Sequence, residues 1–488
     1  ITKSLEYFDV SEQPFASLQD KYNSVTVINN TVTKLNPETK QVECEDGVSY
    51  YYKLKLCICS GGRPKLIDNS NEHVLGLRDT DSASCLSDKL KNAKKQVECE
   101  DGVSYYYKLK LCICSGGRPK LIDNSNEHVL GLRDTDSASC LSDKLKNAKK
   151  VAVVGNGGIA MELAYEIRNC SVVWIIRENF VNHVFFDAAS AKFIMSEFDR
   201  KSTVRERKKL KYKVEGQNRS SSIQGGALGP DWITGIELMG SEQKRSLCIE
   251  TECEIERILS LDEIIKSKQN NIITENWPCY LQLTNKKIIG CDFIISATGV
   301  LPNYEPFAKI PSKIEVYVGE NGGIIVDGEM RTGELDVYAA GDVCLTKFQS
   351  IEQSDWFQMR LWPQAKQMGY HAATCMLIHS ERQDEKVSLP FCFEVFQHCT
   401  YFCGFKVILL GRFNSQNLDK YELMYRYTEG LEFIKLVIVD GKIRGAVIIG
   451  DLEMAETIEN LMLSRIDVSP YGDDLLDSEL VDLVDYFD

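Results

Sequence analysis

Residues 151–176 read VAVVGNGGIAMELAYEIRNCSVVWII, and this stretch decides the fold. Its first four residues are apolar and predict a short buried strand, and the glycines that follow predict a turn. A helix to about Asn169 and a second apolar strand at residues 172–176 come next. Strand, turn, helix and strand in this order form a βαβ unit, so we expect a parallel sheet and an α/β fold.

The turn of this unit, Gly155-Asn-Gly157-Gly158-Ile-Ala160, has the spacing of a dinucleotide-binding fingerprint. Gly155 permits the tight turn, Gly157 lets the backbone approach a pyrophosphate, and Ala160 allows close packing of the helix. The N-terminus of the helix faces the phosphate charge. We therefore predict that Gly155, Gly157, Gly158 and Ala160 bind a dinucleotide, and a purely structural turn is the alternative.

The end of the second strand bears on the choice between NADH and NADPH. An acid there binds the ribose 2′-hydroxyl, whereas an arginine tolerates a 2′-phosphate. This chain has both, as the adjacent pair Arg177 and Glu178. We expect NADH as the preferred nucleotide, with some tolerance for NADPH.

The segment before this unit is repeated without one change, at residues 41–95 and 96–150. Removing one 55-residue copy from the 488 residues leaves 433 of distinct sequence. Repeat proteins show several diverged copies, so an in-frame exon duplication or a gene-model error is a better explanation than a functional repeat. One copy can occupy the position that this segment has in a fold. The other copy must extend the structure, displace the first copy or pack loosely.

Composition narrows the class of protein. The net charge is −14, and no apolar run approaches the roughly 18 residues of a membrane span. Eight of the 18 Cys are two copies of four, and no C-x-x-C pair occurs, which indicates reduced thiols in the cytosol or nucleus. No signal peptide is visible, and because the chain begins at Ile1 rather than Met, we expect the true N-terminus upstream.

Further elements follow the βαβ unit. Residues 200–213 carry eight basic residues and one acid and predict a basic helix running into a loop; a solvated face is favoured over a nucleic-acid patch. We predict an antiparallel meander at residues 247–290, strands at 292–303 and 336–342, and a helix at 362–378. An α+β unit follows at residues 389–465, and residues 467–488 carry eight acids and no base.

The motifs together resemble a known family. CSGGRP and LRDTDSASCL precede the glycine fingerprint, and the strands ATGVLPN and DVYAAGD follow it. This set is similar to the pyridine nucleotide-disulfide oxidoreductases, and the basic insert, the WPQAKQMG helix and the acidic end resemble animal members more narrowly. The resemblance implies two Rossmann-like domains, for FAD and NAD(P), plus a C-terminal α+β domain. The expected domains are a partial FAD-binding domain (1–150), an NAD(P)-binding domain with a basic insert at 200–230 (151–290), a return to the FAD-binding domain (291–385), the C-terminal domain (386–466) and an acidic tail (467–488).

The resemblance also implies roles for residues outside the fingerprint. Gly341 and Asp342 would hold FAD, with the carboxylate accepting from the ribityl hydroxyl. Ser115 and Gly116 would form the crossover near the flavin. The remaining residues would border the nicotinamide side: Glu162, Ala297, Thr298 and Gly299. An inert, solvent-facing Glu162 and a plain turn acid at Asp342 are the alternatives.

Two departures from the family concern activity. No second glycine fingerprint precedes Val151, so the N-terminal βαβ half of the FAD-binding domain is expected to be missing from this sequence. The redox-active dithiol of the family's reductases is also absent. Cys57 and Cys59 lie two apart on one predicted strand and could form a disulfide only with strain. Cys399 and Cys403, beside His398, are interpreted as core thiols, and the six His lack metal-ligand spacing, so no metal site is predicted.

Two functional hypotheses follow. The first is an FAD-dependent NAD(P)H oxidoreductase without a dithiol, in which hydride passes from nicotinamide to flavin. The second is an NAD(P)H-sensing interaction module with little or no turnover. The apolar residues of the acidic tail favour a protein partner over a solubilising role. The resemblance implies that this partner is the tRNA-splicing ligase complex, protected from oxidation in the nucleus and cytoplasm, without direct nucleic-acid or membrane binding.

Overall fold

The chain is described by a computed structural model. It covers residues 10–12, 21, 25–28, 30–52, 54–59, 62–63, 105–107, 110–113, 118–119, 126–132, 135–199, 212–214, 232–233, 236–242, 245–266, 276–304, 307, 313–317, 322–347, 354–382, 385–450 and 454–476.

The centre of the molecule is a five-stranded parallel sheet, the central sheet. Its strands lie in the order Val129–Gly131, Phe293–Ser296, Lys150–Val154, Ser171–Ile175 and Ser246–Glu250. Successive side chains of a strand point to opposite faces, so alternate residues of the run VAVV pack into two different hydrophobic cores. Val151 and Val153 pack against helices, and Ala152 and Val154 pack against an antiparallel meander.

The helices on the first face connect strands of this sheet. They are Thr135–Leu145, Gly158–Glu166 and Ala188–Asp199. The meander on the second face has the strands Ile255–Leu259, Cys279–Leu283 and Ile288–Cys291, with the short helix Leu261–Lys266 between the first two. Covered on both faces, the three inner strands of the central sheet are almost entirely apolar.

The prediction of a single meander over residues 247–290 is wrong at its start. Ser246–Glu250 pairs in parallel with Ser171–Ile175 along its whole length and is the edge strand of the central sheet. The alternating burial of this strand does not distinguish the two positions, because an edge strand and a meander strand both have one face more exposed to solvent.

A second region, the N-terminal sheet region, carries a three-stranded parallel sheet. Its strands lie in the order Val337–Ala339, Lys55–Ile58 and Lys110–Ile113. The 20-residue helix Trp362–Glu381 packs on this region through residues such as Met368 and Ala372. Smaller sheets complete it, with the strands Val32–Asn36, Gln41–Cys44, Ser49–Tyr52 and Tyr105–Tyr107 in one, and Val316–Tyr317, Gly323–Val326 and Cys344–Thr346 in the other.

The two repeat copies contribute different parts of the fold. The first copy supplies Lys55–Ile58, which lies in the middle of its sheet, and the second copy adds Lys110–Ile113 at the edge, in register with it. The second copy also supplies Val129–Gly131 and Thr135–Leu145 to the central-sheet region. The rest of the first copy, residues 64–95, lies outside the described part of the chain.

The C-terminal region is a five-stranded antiparallel sheet. Its strands are Gln397–Phe402, Phe405–Gly411, Lys442–Ile449, Glu432–Val439 and Glu422–Thr428, in that order. One face, including Phe402 and Phe405, joins the helical core of the central sheet, and the other packs on the helix Met454–Ser464. The 3-10 turns Phe391–Phe393 and Ser469–Leu476 flank it.

A buried ion pair joins this sheet to the central-sheet region. Lys435 Nζ lies 2.9 Å from Asp187 Oδ2 and donates to Asn414 Oδ1 at 3.0 Å. Burial raises the pKa of Asp187, but Lys435 and two hydrogen bonds from Ser190 outweigh it and leave that pKa below its usual value. The charged pair therefore ties two regions that are distant in sequence.

Two predicted elements differ from the structure. Tyr212–Val214, the end of the predicted basic helix, is a strand that pairs in parallel with Val10–Glu12; the rest of the basic insert lies outside the described residues. The strand predicted over residues 292–303 splits into Phe293–Ser296 and Val300–Pro302, because a turn at Gly299 interrupts it. No helix among the described residues is long and apolar enough to span a membrane.

Candidate dinucleotide site

The turn that follows the strand Lys150–Val154 accepts only glycine at its first position. Gly155 has a φ of +129°, and a Cβ there would collide with the carbonyl oxygen of Ala297. The Gly155 carbonyl accepts a hydrogen bond from Trp174 Nε1 at 2.8 Å, which fixes the peptide. The turn is thus held against the neighbouring strand that ends at Ser296.

The second glycine leaves open space where a ligand can approach. Gly157 is the N-cap of the helix Gly158–Glu166, and a Cβ built on it meets nothing within 4 Å. The first amides of a helix lack intrahelical partners, so they can bind an anion at this end. Ala160 is fully buried under the helix, as close helix–sheet packing requires.

Gly158 has a further role that the motif did not reveal. A Cβ there would lie 2.9 Å from Phe402 Cε1 and 3.3 Å from Phe185 Cε2. Phe402 belongs to the C-terminal sheet, so the space at Gly158 is filled by a neighbouring region of the protein. The packing of Phe402 alone accounts for glycine at this position.

The acidic residue at the end of the next strand is held in place by the turn. Asn156, which is buried, donates to Glu178 Oε2 at 2.8 Å and to the carbonyl oxygen of Phe180 at 2.9 Å. Asn156 Oδ1 in turn accepts from the amide of Asn182. Sequence reasoning missed Asn156, the variable position of the fingerprint, since nothing local predicts a partner 22 residues away.

Arg177 lies on the solvent side of this network. Its side chain is 57% exposed, and its Nε lies 3.7 Å from Glu178 Oε1 and 3.5 Å from Glu254 Oε1. Glu178 is 23% exposed, so of the two candidates the acid is the more firmly positioned beside the turn. His183 also approaches Glu178, with 3.5 Å between Nε2 and Oε1.

The predicted Ala297-Thr298-Gly299 segment lies directly beside the fingerprint. The Ala297 amide donates to the carbonyl oxygen of Val154 at 2.8 Å, which extends the sheet pairing up to Gly155. Gly299 has a φ of +94° and faces open space. The structure therefore brings together two motifs separated by about 140 residues, at the carboxyl end of the central sheet, where α/β sheets bind their ligands.

Glu162 is held by another side chain. Trp232 Nε1 donates to Glu162 Oε2 at 2.7 Å, and Glu162 is half-buried. The carboxylate is therefore positioned on the fingerprint helix by an indole, in contrast to the inert, solvent-facing alternative.

The second predicted cofactor segment lies at the carboxyl end of the N-terminal sheet. The Ala340 amide donates to the Ile58 carbonyl oxygen at 2.9 Å, and the chain then enters a 3-10 turn at Gly341–Val343, with Gly341 at a φ of +79°. Arg360 Nε donates to the Asp342 carbonyl oxygen at 3.0 Å. Burial lowers the pKa of Arg360, and Asp342 opposes that effect.

The helix Trp362–Glu381 begins next to this turn, with Pro363 in its first turn. Gln364 fastens its start, because Gln364 Oε1 accepts from the amide of Met359 at 2.7 Å and its Nε2 donates to the carbonyl oxygen of Phe357 at 2.8 Å. The Gly341–Asp342 turn and a helix N-terminus thus share one sheet end. Ser115 and Gly116 lie outside the described residues.

A surface cavity of about 460 Å³ lies elsewhere, lined by Lys55, Asp336 and Tyr338 among others. It borders the amino end of the strand Val337–Ala339, opposite the Gly341–Asp342 turn. Ligands of parallel sheets bind at the carboxyl ends, so we place the candidate site at the glycine turns and not in this cavity.

The remaining thiol cluster lies in the interior. Cys399 and Cys403 are 6% and 7% exposed, and the ring of His398 stacks on Phe185 with centroids 5.6 Å apart. Burial lowers the pKa of His398 to about 4, so its ring is neutral at physiological pH. Within the described ranges no group of three or more His, Cys, Asp or Glu could hold a metal ion.

The sequence pattern of the pyridine nucleotide-disulphide oxidoreductases matches residues 88–226 and 250–369, which include both glycine turns. The chain belongs to this family. Its members depend on FAD and use NAD(P)H. The resemblance drawn from the motifs is therefore confirmed, and so are the two cofactors that it implied.

Individual relatives agree with this family. The pyridine nucleotide-disulfide oxidoreductase domain-containing protein 1 of Danio rerio is 41% identical over 100% of this chain and 89% of its own length. The Homo sapiens protein of the same name is 44% identical over 82% of both chains.

Solved structures share the fold at low identity. The covalent putidaredoxin reductase–putidaredoxin complex matches with a TM-score of 0.57 at 14% identity, over 96% of this chain and 87% of that chain. A NAD-dependent persulfide reductase from A. fulgidus matches with a TM-score of 0.55 at 15% identity, over 93% and 65%. The Rossmann-type α/β fold is thus common to this chain and to both oxidoreductases.

The residues present fit the family's nucleotide at the central sheet. Gly157 leaves free the space that a pyrophosphate needs, and Glu178 is fixed where ribose hydroxyls would lie. For FAD, Gly341 and Asp342 and the adjoining helix N-terminus fit one half of the cofactor. A second glycine fingerprint for the other half does not occur in residues 1–150.

Proposed function

We propose that this chain is an NAD(P)H oxidoreductase without a redox-active dithiol, in which hydride passes from nicotinamide to flavin. The observation that carries the proposal is the pair of glycine turns, at Gly155 and Gly341, each at the carboxyl end of a parallel sheet. Bound FAD and NAD(P)H supply the redox chemistry, and the protein supplies position and electrostatics.

The nucleotide side is organised by the fingerprint turn. The amides that follow Gly157 bind the pyrophosphate of NAD(P)H, aided by the positive end of the helix dipole. Glu178, held by Asn156 at 2.8 Å, accepts from the ribose 2′-hydroxyl. Arg177 is exposed beside it and moderates the repulsion between Glu178 and a 2′-phosphate, so NADH is preferred and NADPH is tolerated.

The flavin side is organised by the Gly341–Asp342 turn. The Asp342 carboxylate accepts from a ribityl hydroxyl, and Arg360 holds the Asp342 backbone so that the carboxylate keeps its direction. Because Arg360 also donates to the Gly322 carbonyl oxygen at 2.5 Å, the turn is tied to the adjoining sheet. Ala297 to Gly299 lie beside the Gly155 turn, and with Glu162 on the fingerprint helix they would border the nicotinamide.

We also propose the biological role that the family resemblance implies. The chain acts in the nucleus and cytoplasm and protects a protein partner, the tRNA-splicing ligase complex, from oxidation. Within the acidic end, residues 467–488, Ser469–Leu476 packs on the C-terminal region of the protein itself, with Leu475 and Leu476 buried. Residues 477–488 carry five acids among apolar side chains, a composition suited to binding a basic surface of such a partner.

Flavin reduction tests the proposal. The purified chain is mixed with FAD, freed of unbound cofactor and titrated anaerobically with NADH while the flavin absorbance is recorded. We expect retained flavin whose absorbance bleaches on addition of NADH. Arg360→Lys is the informative variant, because it keeps the charge but loses the paired hydrogen bonds to two carbonyl oxygens, and it should retain less flavin while NADH binding is unchanged.

The alternative function is a nucleotide-sensing module, which needs only the site at the central sheet, where Gly157 leaves space for a pyrophosphate and Asn156 fixes Glu178. It predicts a protein that stays colourless after incubation with FAD, binds NADH and still captures its partner. That result would contradict the oxidoreductase proposal while leaving the nucleotide site intact.

A further inference from the structure

Two thiols meet at the carboxyl end of the N-terminal sheet. Cys57 lies on the strand Lys55–Ile58, Cys59 follows that strand, and their sulfur atoms are 3.4 Å apart. Cys57 is 5% exposed, and Cys59 is half-buried. Neither cysteine forms a disulfide in the structure.

The backbone places this pair beside the proposed flavin turn. Ile58, the residue between the two cysteines, accepts from the amide of Ala340, and Gly341 follows at once. The dithiol and the Gly341–Asp342 turn therefore lie on neighbouring strands at one sheet end. Cys59 is only partly covered as a residue, so this end of the pair is the more open to a small solute.

Geometry makes a disulfide between these thiols both attainable and labile. Residues two apart on a strand have Cα atoms about 6.6 Å apart, near the upper limit of about 6.8 Å for a disulfide. Strained disulfides have higher reduction potentials and are the labile, regulatory or catalytic ones. The strain that disfavours a permanent crosslink thus favours a reversible one.

We propose that Cys57 and Cys59 form a reversible disulfide on oxidation by peroxide. The Cys59 thiolate attacks one peroxide oxygen, the O–O bond breaks, and a sulfenic acid and water result after protonation. Cys57 then attacks the sulfenic sulfur, the S–S bond forms, and the second water leaves. In total two thiols and one hydrogen peroxide give one disulfide and two waters. The pair is distinct in spacing from the C-x-x-C and C-x4-C dithiols, and the inference does not depend on the proposed function.

The chain contains a matched control pair. Cys279 and Cys291 face each other on neighbouring antiparallel strands, with sulfur atoms 3.6 Å apart. They are 1% and 0% exposed. Because sulfur separation is similar and access is not, this pair should resist peroxide in the folded protein.

The experiment uses the full chain carrying Cys112→Ser and Cys114→Ser. These changes make the tryptic peptide of residues 56–65 differ in mass from its repeat copy, which otherwise has the same sequence. The folded protein is treated with hydrogen peroxide, quenched, denatured, alkylated and digested. Circular dichroism before and after treatment establishes that the fold is retained.

We expect the peptide of residues 56–65 to carry an internal disulfide and no alkyl group, and to be alkylated twice if dithiothreitol is added before alkylation. Cys279 and Cys291 should be alkylated in every sample of folded protein. Full alkylation of Cys57 and Cys59 after peroxide would overturn the proposal. Sulfinic acid at Cys59 without a disulfide, or crosslinking of Cys279 to Cys291 at an equal rate, would overturn it too.

Discussion

Gly155 and Gly157 belong to one turn, but only Gly155 is constrained by its backbone conformation and by a close neighbour. Gly155→Ala places a Cβ against the Ala297 carbonyl at a φ that side chains rarely adopt, so it should lower the free energy of unfolding by on the order of 2–4 kcal/mol. Gly157→Ala meets nothing within 4 Å and changes only the N-cap residue, so it should lower the free energy of unfolding by no more than about 1 kcal/mol. Urea unfolding of both variants measures this difference, and equal destabilisation would contradict the described turn.

Glu178 should set the nucleotide preference. Glu178→Gln keeps an acceptor for Asn156 but removes the charge, so the ratio of the NADPH to the NADH dissociation constant should fall about tenfold. Glu254→Gln is the control, since Glu254 also lies near Arg177, at 3.5 Å, but is 58% exposed. Fluorescence titration with both nucleotides measures the ratio, and an equal change in the two variants would rule out a specific role for Glu178.

His398 should make stability depend on pH. Its pKa is about 4 in the folded protein, below the ordinary value of 6.5, because burial disfavours the charged ring. The unfolded chain therefore binds the proton first, and the stability contributed by the neutral ring is complete above pH 6.5 and is lost as pH falls toward 4. The loss should reach about 3 kcal/mol.

His398→Phe keeps an aromatic ring to stack on Phe185 and cannot titrate. Urea unfolding at several pH values should therefore show a smaller loss of stability in this variant between pH 6.5 and 4. Parallel curves for the two proteins would show that His398 titrates normally.

At the scale of elements, each repeat copy supplies a different part of what a single copy could supply to the fold. Arg63 and Arg118 pair with the same residue, Leu301, on opposite edges of one strand, and Lys110–Ile113 only extends a sheet that already contains Lys55–Ile58. A single copy contains both the strand used from the first copy and the helix used from the second. The second set of strands therefore repeats pairings that the first copy already makes.

Removing 55 residues from the repeat should leave a folded protein. Because the copies are identical, deletion of residues 41–95 or of residues 96–150 gives the same 433-residue chain. We expect its urea midpoint to equal or exceed that of the full chain, with unchanged NADH affinity, since the central sheet is intact. Loss of cooperative unfolding in the shorter chain would show that both copies are needed.

At the scale of the whole molecule, local signals were readable from the sequence and long-range contacts were not. The βαβ unit at residue 151 was predictable because apolar runs and glycine spacing are local. The contact of Gly158 with Phe402 joins residues 244 positions apart, and the Asn156–Glu178 bond depends on the packing of two strands. The parallel pairing of Ser246–Glu250 was missed for the same reason, because periodicity does not identify the neighbouring strand.

Nucleotide binding at the fingerprint turn underlies both proposed functions, and the NADH affinity of matched variants tests it most directly. Gly157→Asp adds a carboxylate where the pyrophosphate would lie, whereas Gly369→Asp adds the same group in the helix Trp362–Glu381; neither Cβ meets an atom within 4 Å. We predict that NADH titration shows at least a tenfold loss of affinity in Gly157→Asp and none in Gly369→Asp. Wild-type affinity in Gly157→Asp would contradict the account.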